Sequence, residues 1–245
     1  LGVPSRRQPI LPLLLPLSRQ NWLHNVTFSP APGVRGVKIC GLTEEAGFDA
    51  CVTHGADWVG FVFFERSPRY VTPAQARALS ARHVGGPARV GLFVYPDDDT
   101  LARALDIVPL DVLQIYASFE RATEVHARFG VPVWLSQPVS TGADLPTTRR
   151  AGVERLLIEP KPPTTATRPG GNAQQLDWSL MQGWAPPFPW MLAGGLNPDN
   201  VVEAVIVTGA PAVDVSSGVE SAPGIKSPRA IADFIHKARS VTFSA

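Results

Sequence analysis

Cysteine is scarce in this chain: Cys40 and Cys51 are the only two among 245 residues. Two thiols exclude a disulfide-built scaffold and are too few for a cysteine-rich zinc cluster, so a reducing, cytoplasmic setting is expected. Net charge is also lacking, with 22 Lys and Arg against 21 Asp and Glu. A formal charge of +1 gives no electrostatic reason to expect nucleic acid or a membrane surface as partner. Long apolar runs are missing too. Ile10 to Leu17 is broken by Pro12 and Pro16, and falls well short of the roughly 20 residues that span a bilayer. Arg6 and Arg7 ahead of it give a superficial likeness to a signal peptide, but no clear small-residue cleavage site follows. Residues 1 to about 34 are read as an irregular extension outside the fold.

From Val37 onward, short apolar runs alternate with amphipathic segments. The runs are Val37–Cys40, Trp58–Phe63, Arg89–Val94, Val112–Ile115, Val131–Leu135, Arg155–Ile158, Trp190–Ala193 and Ala212–Val215. Most show no alternation, as expected of strands buried on both faces of a parallel sheet. Between them the pattern predicts helices over Thr43–Thr53, Thr72–Ala81, Asp98–Asp106, Phe119–Phe129, Ala143–Ala151, Trp178–Gln182, Asn197–Val207 and Ser227–Arg239. Thr43, Thr72 and Ser227 are the expected N-caps of their helices, with Pro73 and Pro228 at first helical positions. Eight strands, each followed by a helix, fit an α/β class (β/α)₈ TIM barrel over residues 35–245. The length suits it, since such barrels run to about 250 residues. Hydrophobic residues at 44% supply its core.

In such a barrel the chemistry sits at the C-terminal ends of the strands. Cys40-Gly41, Arg66 to Arg69, Gln114, Glu159, Gly194-Gly195 and Ser216-Ser217-Gly218 all follow runs directly. Glycine at the ends of strands seven and eight lets the backbone approach a ligand, and its N–H groups can bind phosphate oxygens alongside serine hydroxyls. The same glycines also suit tight turns. Cys40 is either a buried small hydrophobe or, with a lowered pKa, a base. Cys51, mid-helix, reads as packing. Glu159 is either an acid facing a base across the mouth or an exposed partner of Lys161. Arg69, in Ser67-Pro68-Arg69-Tyr70, has the planar fork that clamps a carboxylate. Asp214 in strand eight needs a partner if buried, and Lys38 is the candidate.

Taken in order, these segments resemble the phosphoribosylanthranilate isomerase family. The likeness is carried by Val37-Lys38-Ile39-Cys40-Gly41, Gly60-Phe61-Val62-Phe63 with Ser67-Pro68-Arg69-Tyr70-Val71, and Val90-Gly91-Leu92-Phe93-Val94. It continues through Gly170-Gly171, Asp177-Trp178, Leu192-Ala193-Gly194-Gly195-Leu196 with Asn200, Val213 to Glu220 and Pro223-Gly224-Ile225-Lys226. The resemblance implies an Amadori rearrangement of a phosphoribosylated anthranilate, a small phosphorylated substrate, with no metal or organic cofactor. It implies Cys40 as general base and the strand-six carboxylate as general acid. It further implies Arg69 on the anthranilate carboxylate, Gln114 among the substrate contacts, and Gly194, Gly195, Ser217 and Gly218 on the phosphate. The chain departs from the family pattern twice. Glu159 stands where Asp is usual, and Gln114-Ile115-Tyr116-Ala117 lacks the usual histidine of strand four. Other phosphate-binding barrels call for lysines or histidines at strand ends that are not evident here. A barrel that binds a phosphorylated ligand without catalysis is distinguished from the isomerase by activity alone. The oligomeric state is left open.

Overall fold

The computed structural model describes residue 34, residues 36–166, 169–170 and 174–242. The extension expected over residues 1 to about 34 lies outside this set apart from Val34, as does Gly171. The eight apolar runs form eight strands: β1 Gly36–Cys40, β2 Trp58–Val62, β3 Ala88–Val94, β4 Val112–Tyr116, β5 Val133–Val139, β6 Arg155–Pro160, β7 Trp190–Leu192 and β8 Ala212–Val215. They pair in parallel in sequence order and close on themselves. Closure is the β1–β8 seam, where Gly36, Val37, Lys38 and Ile39 stand opposite Ala212, Val213, Asp214 and Val215. The barrel expected from the spacing is the barrel found.

Among the described residues six α-helices cover its outside: α1 Glu45–Thr53, α2 Pro73–Ala81, α3 Asp98–Ile107, α4 Phe119–Phe129, α5 Val201–Thr208 and α6 Pro228–Ser240. Their starts follow local chemistry. Thr72 and Gln75 form a reciprocal capping box on α2, and Ser227 accepts from the Ala230 N–H on α6. The cap of α1 is Glu44, not Thr43: the Glu44 carboxylate accepts from the Gly47 N–H, while the Thr43 hydroxyl donates to the Gly224 carbonyl at 2.6 Å.

Two expected helices do not form. Over Ala143–Ala151 the structure has only a 3₁₀ turn, Gly142–Asp144. The Asp144 carboxylate takes the Ser140 and Thr141 N–H groups at 2.8 and 2.9 Å, and Pro146 then lacks the N–H a helix would need. Trp178–Met181 is likewise a single 3₁₀ turn, stopped by Gly183 and the Pro186-Pro187 pair. Strands β5 and β6 are thus followed by loops, and "a helix after every strand" is corrected at these two places. The helix expected at Asn197 starts at Val201, because the Asn197 side chain holds the Asp199 and Asn200 N–H groups in a turn.

Alternate residues of each strand point into the barrel. Its lower end is apolar: Val90, Val112, Trp134, Leu157, Met191 and Ala212 pack with Trp58. The Arg155 guanidinium lies over the Trp58 and Trp134 rings, 5.0 and 5.1 Å from their centroids. This plug seals the floor. Two residues further along the strands the interior turns polar, with Lys38, Gln114, Ser136 and Asp214 all buried. Lys38 Nζ donates to Asp214 Oδ1 at 2.6 Å across the closing seam. Among the described residues no helix is long and apolar enough to cross a membrane.

Lys38→Met strands the Asp214 carboxylate in the interior, a loss of about 3–5 kcal/mol for a broken buried pair. Urea unfolding of Lys38→Met beside the Lys38→Met/Asp214→Leu double variant checks this, with the double variant expected to recover most of the loss. A single-variant cost below about 1 kcal/mol, typical of exposed pairs, would remove the pair from the account of closure.

Candidate active site

Above the Lys38–Asp214 pair the barrel opens into a cavity at the C-terminal ends of the strands. Cys40, Arg69, Gln114, Glu159, Gly194, Gly195 and Ser217 of the expected site residues all line it. Tyr116, Gln174, Asp214 and Ser216 line it as well. Gly218 does not: a Cβ there would sit 1.9 Å from the Leu196 carbonyl oxygen, so this glycine brings the loop after β8 against the loop after β7. The loop after β7 is shaped by the positive φ of Gly194 (84°) and Gly195 (69°). The Asn200 amide donates to the Gly195 carbonyl at 3.0 Å and fixes it.

Cys40 ends β1, two residues beyond Lys38 and on the same inward face. Burial pushes its thiol above the ordinary value of 9.0, against the pull of Lys38 and, further off, Lys226. A lowered thiol pKa, the condition under which cysteine alone reads as a base, is therefore not what the free protein has. The cation nearest the thiol is already committed to Asp214. Lys38 itself is depressed by burial but held above its ordinary value by Asp214 and Cys40. Cys51 is fully buried in α1, as expected of a packing residue.

Glu159 is not an exposed partner of Lys161. It lies in β6 with 6% of its surface exposed, and its Oε1 has no hydrogen-bond partner among the described residues. Burial raises its carboxyl to about 8, opposed by the Tyr116 hydroxyl and, more weakly, by Lys38 and Ser136. Tyr116 is itself raised well above its usual range by burial and by Glu159, so it remains a neutral hydroxyl. Both groups meet over Gly170, where a Cβ would lie 2.2 Å from the Tyr116 oxygen and 3.0 Å from Glu159 Oε2. Gln114 Nε2 donates to Ser136 Oγ at 3.0 Å, and its buried Oε1 is unpartnered among the described residues. Two buried side-chain oxygens without partners among the described residues therefore belong to residues lining one cavity, which marks it as a ligand site.

Arg69 lies on the far side of the mouth, and its Nε and Nη2 donate to the Glu220 carboxylate at 2.6 and 2.8 Å. Lys226 Nζ donates to the same carboxylate and to the Ser216 carbonyl, both at 2.9 Å. Glu220 and Lys226 carry no role in the sequence reading. Their one signal is their place in the final motifs, Val213 to Glu220 and Pro223 to Lys226. Ser136, likewise without a role in the sequence, enters the site through Gln114 and Glu159.

The family model described as N-(5'phosphoribosyl)anthranilate (PRA) isomerase matches residues 37–237. The chain belongs to that family. It is 51% identical over 203 residues to the N-(5'-phosphoribosyl)anthranilate isomerase of Acidiphilium cryptum, covering 83% of this chain and 98% of the relative. With the enzyme of the same name from Paracoccus denitrificans it shares 52% over 206 residues, 82% of this chain and 96% of that one. Among solved structures, a phosphoribosyl anthranilate isomerase in complex with reduced 1-(o-carboxyphenylamino)-1-deoxyribulose 5-phosphate superposes with a TM-score of 0.69. That pair is 32% identical, covering 84% of this chain and 99% of the other.

Within this family frame the two departures, Glu159 and Tyr116, turn out to be neighbours. The extra methylene of glutamate carries the carboxyl toward β4, where the tyrosine hydroxyl meets it. Removing that hydroxyl by Tyr116→Phe leaves burial less opposed, so the Glu159 carboxyl rises further above 8. The rising limb of a kcat/KM–pH profile is expected to move upward in the variant. A limb that stays in place would separate Tyr116 from the titration of Glu159.

Proposed function

We propose that the mouth of this barrel performs its family's rearrangement with Glu159 as general acid and Cys40 as general base. Membership of the family makes the chain an aldose–ketose isomerase of tryptophan biosynthesis, converting N-(5'-phosphoribosyl)anthranilate to 1-(2-carboxyphenylamino)-1-deoxyribulose 5-phosphate. The observation that carries the residue assignment is the carboxyl of Glu159: buried, proton-bearing at neutral pH, and with one oxygen unpartnered among the described residues.

In the first step Glu159 gives its proton to the furanose ring oxygen. The bond from that oxygen to C1 breaks, and the anilino nitrogen lone pair forms the C1–N double bond. In the second, the Cys40 thiolate takes the proton from C2, and its electron pair becomes the C1–C2 double bond as the nitrogen recovers its lone pair. The resulting enaminol gains a proton at C1 and loses the hydroxyl proton at C2, leaving the ketone. Acid and base transfers suffice for this shift. Arg69 holds the anthranilate carboxylate, and Gln114 supplies its unpartnered oxygen to a substrate donor. The loops carrying Gly194, Gly195, Ser217 and Gly218 hold the phosphate, as suits backbone N–H groups at strand ends. The partner so read is a small phosphorylated molecule, not a nucleic acid. The setting is the cytoplasm, where both thiols stay reduced.

The reactive form needs Cys40 ionised and Glu159 protonated, yet the acid has the lower pKa of the two. With decreasing acidity the order is fixed. Below about pH 8 both groups are protonated and no base is present. Above the raised thiol pKa both are ionised and no acid remains. The kcat/KM profile is therefore expected to be a bell rising near pH 8 and falling above 9, with apparent pKa values that belong to the pair. A plateau reaching down to about pH 6 would contradict this ordering.

Cys40→Ala and Glu159→Gln should each lower turnover about 10²–10⁴-fold, the usual worth of one positioned acid or base. Glu159→Gln is expected to retain affinity for the reduced product analogue. Complementation of a tryptophan-requiring strain lacking this isomerase reads the same losses as growth. Equal rescue by wild type and Cys40→Ala would sink the assignment of the base. No rescue by a folded wild type would favour a barrel that binds without catalysis.

A further inference from the structure

Behind the cavity wall lie two charged side chains that the mechanism does not use, Glu220 and Lys226, clustered with Arg69. Glu220 begins strand β9 (Glu220–Ala222), which pairs antiparallel with β10 (Ile225–Lys226), so Glu220 and Lys226 face each other across one small hairpin. Neither residue lines the cavity, whereas Arg69 and Ser216, which they hold, both do. The cluster is closed to solvent: side-chain exposure is 6% for Arg69, 6% for Glu220 and 0% for Lys226. The hairpin is pressed onto the loop that carries Arg69, since a Cβ on Gly224 would lie 2.4 Å from the Pro68 carbonyl oxygen. The shaft of Arg69 runs over Gly41, where a Cβ would come within 2.6 Å of its Cδ. The guanidinium is thus fixed from two sides.

A guanidinium has five N–H donors and two edges that can each bind a carboxylate in a fork. Glu220 occupies the side edge, Nε with Nη2. The end edge, Nη1 with the second N–H of Nη2, is left complete, and no acceptor among the described residues takes it. The charges matter as much as the edges. Glu220 alone would cancel Arg69 and present an incoming carboxylate with a neutral site. Lys226 returns the cluster to a net single positive charge, which one substrate carboxylate then neutralises. Glu220 stays ionised despite its burial because Arg69 and Lys226 hold its carboxyl below the usual value.

We infer that Glu220 and Lys226 are positioning residues for the aromatic carboxylate of the substrate. Glu220 turns the end edge of Arg69 toward the mouth, and Lys226 supplies the positive charge that Glu220 removes. Lys226 also ties this clamp to the Ser216 carbonyl, at the start of the loop assigned to phosphate, so the two anionic ends of the substrate are held in register. The inference rests on the reading of Arg69 as the carboxylate clamp.

The test compares two probes by titration calorimetry: reduced 1-(o-carboxyphenylamino)-1-deoxyribulose 5-phosphate and its counterpart without the ring carboxylate. The quantity read is the ratio of their affinities. In Glu220→Gln and Lys226→Met that ratio is expected to fall about tenfold or more, the worth of one charge-assisted hydrogen bond. Affinity for the carboxylate-free probe should hold within about twofold. Charge counting without orientation predicts the opposite for Glu220→Gln, because removing an anion beside Arg69 would tighten carboxylate binding. Tighter binding, or an equal loss for both probes, overturns the inference. Glu220→Asp keeps the charge and withdraws the carboxylate by one methylene. It should also lower the ratio, and it serves where Glu220→Gln does not fold. Arg69→Gln separates the two levels: if it abolishes the ratio while the Glu220 variants leave it intact, the clamp stands and its positioning fails. A ratio untouched by Arg69→Gln removes the clamp, and the positioning with it.

Discussion

The ion pair between Lys38 and Asp214 is the constraint on which the rest of the structure depends. It lies at the one seam that joins the first strand to the last, between residues 176 positions apart in the chain. Two charges buried together cost desolvation energy that their attraction barely returns, so such a pair is weak evidence of added stability. Its stronger effect is on register. A strand slipped by one residue would turn Lys38 outward into the apolar layer beneath the helices and leave Asp214 alone inside. The same pair forms the lower boundary of the active-site cavity. Below it Trp58, Trp134 and their neighbours close the floor; above it Cys40 and Glu159 line the cavity.

How much of this was legible in the sequence depends on whether local or distant contacts set the feature. Parallel strands buried on both faces write themselves as plain apolar runs, and all eight were found within a few residues. Helices with a cap and an apolar stripe were equally visible, as at Thr72 and Ser227. The failures occurred where short polar side chains satisfy the backbone in another way, as at Asp144 and Asn197. Those hydrogen bonds compete with a helix at the same residues, and period alone does not weigh them. Eight strand runs favoured a closed barrel, but the pattern did not give the pairing that closes it, because that is a contact between the first strand and the last.

The site shows the same division. Residues at strand ends were identified from position and type, and seven of the eight line one cavity. Gly218 shapes the wall from behind instead. Their environments were out of reach. A free thiol offers no sign that burial will raise it, and a glutamate beside a lysine gives no hint that the lysine is not its partner. Glu220 and Lys226 were unassigned because their role exists only through Arg69, about 150 residues earlier in the chain. A residue that acts through another leaves no mark of its own unless the pair is already in view.

The raised pKa values of both catalytic candidates look at first like a handicap, since the free protein holds the proton on the wrong partner. The cost is the gap between the two values, about 1.4 kcal/mol for each pH unit. Against it stands the strength of the base that results. A thiolate with an elevated pKa is more basic than one tamed by a neighbouring cation, and proton abstraction from carbon rewards basicity. The acid gains differently: a carboxyl near 8 keeps its proton at neutral pH, where an ordinary glutamate would have lost it. Burial thus raises acid and base together, and the Lys38–Asp214 pair moderates the result. A lone lysine in that place would draw the thiolate down and weaken it; a lone aspartate would raise both groups further. The closing ion pair sets the seam of the barrel and the electrostatic floor of its site by the same contact.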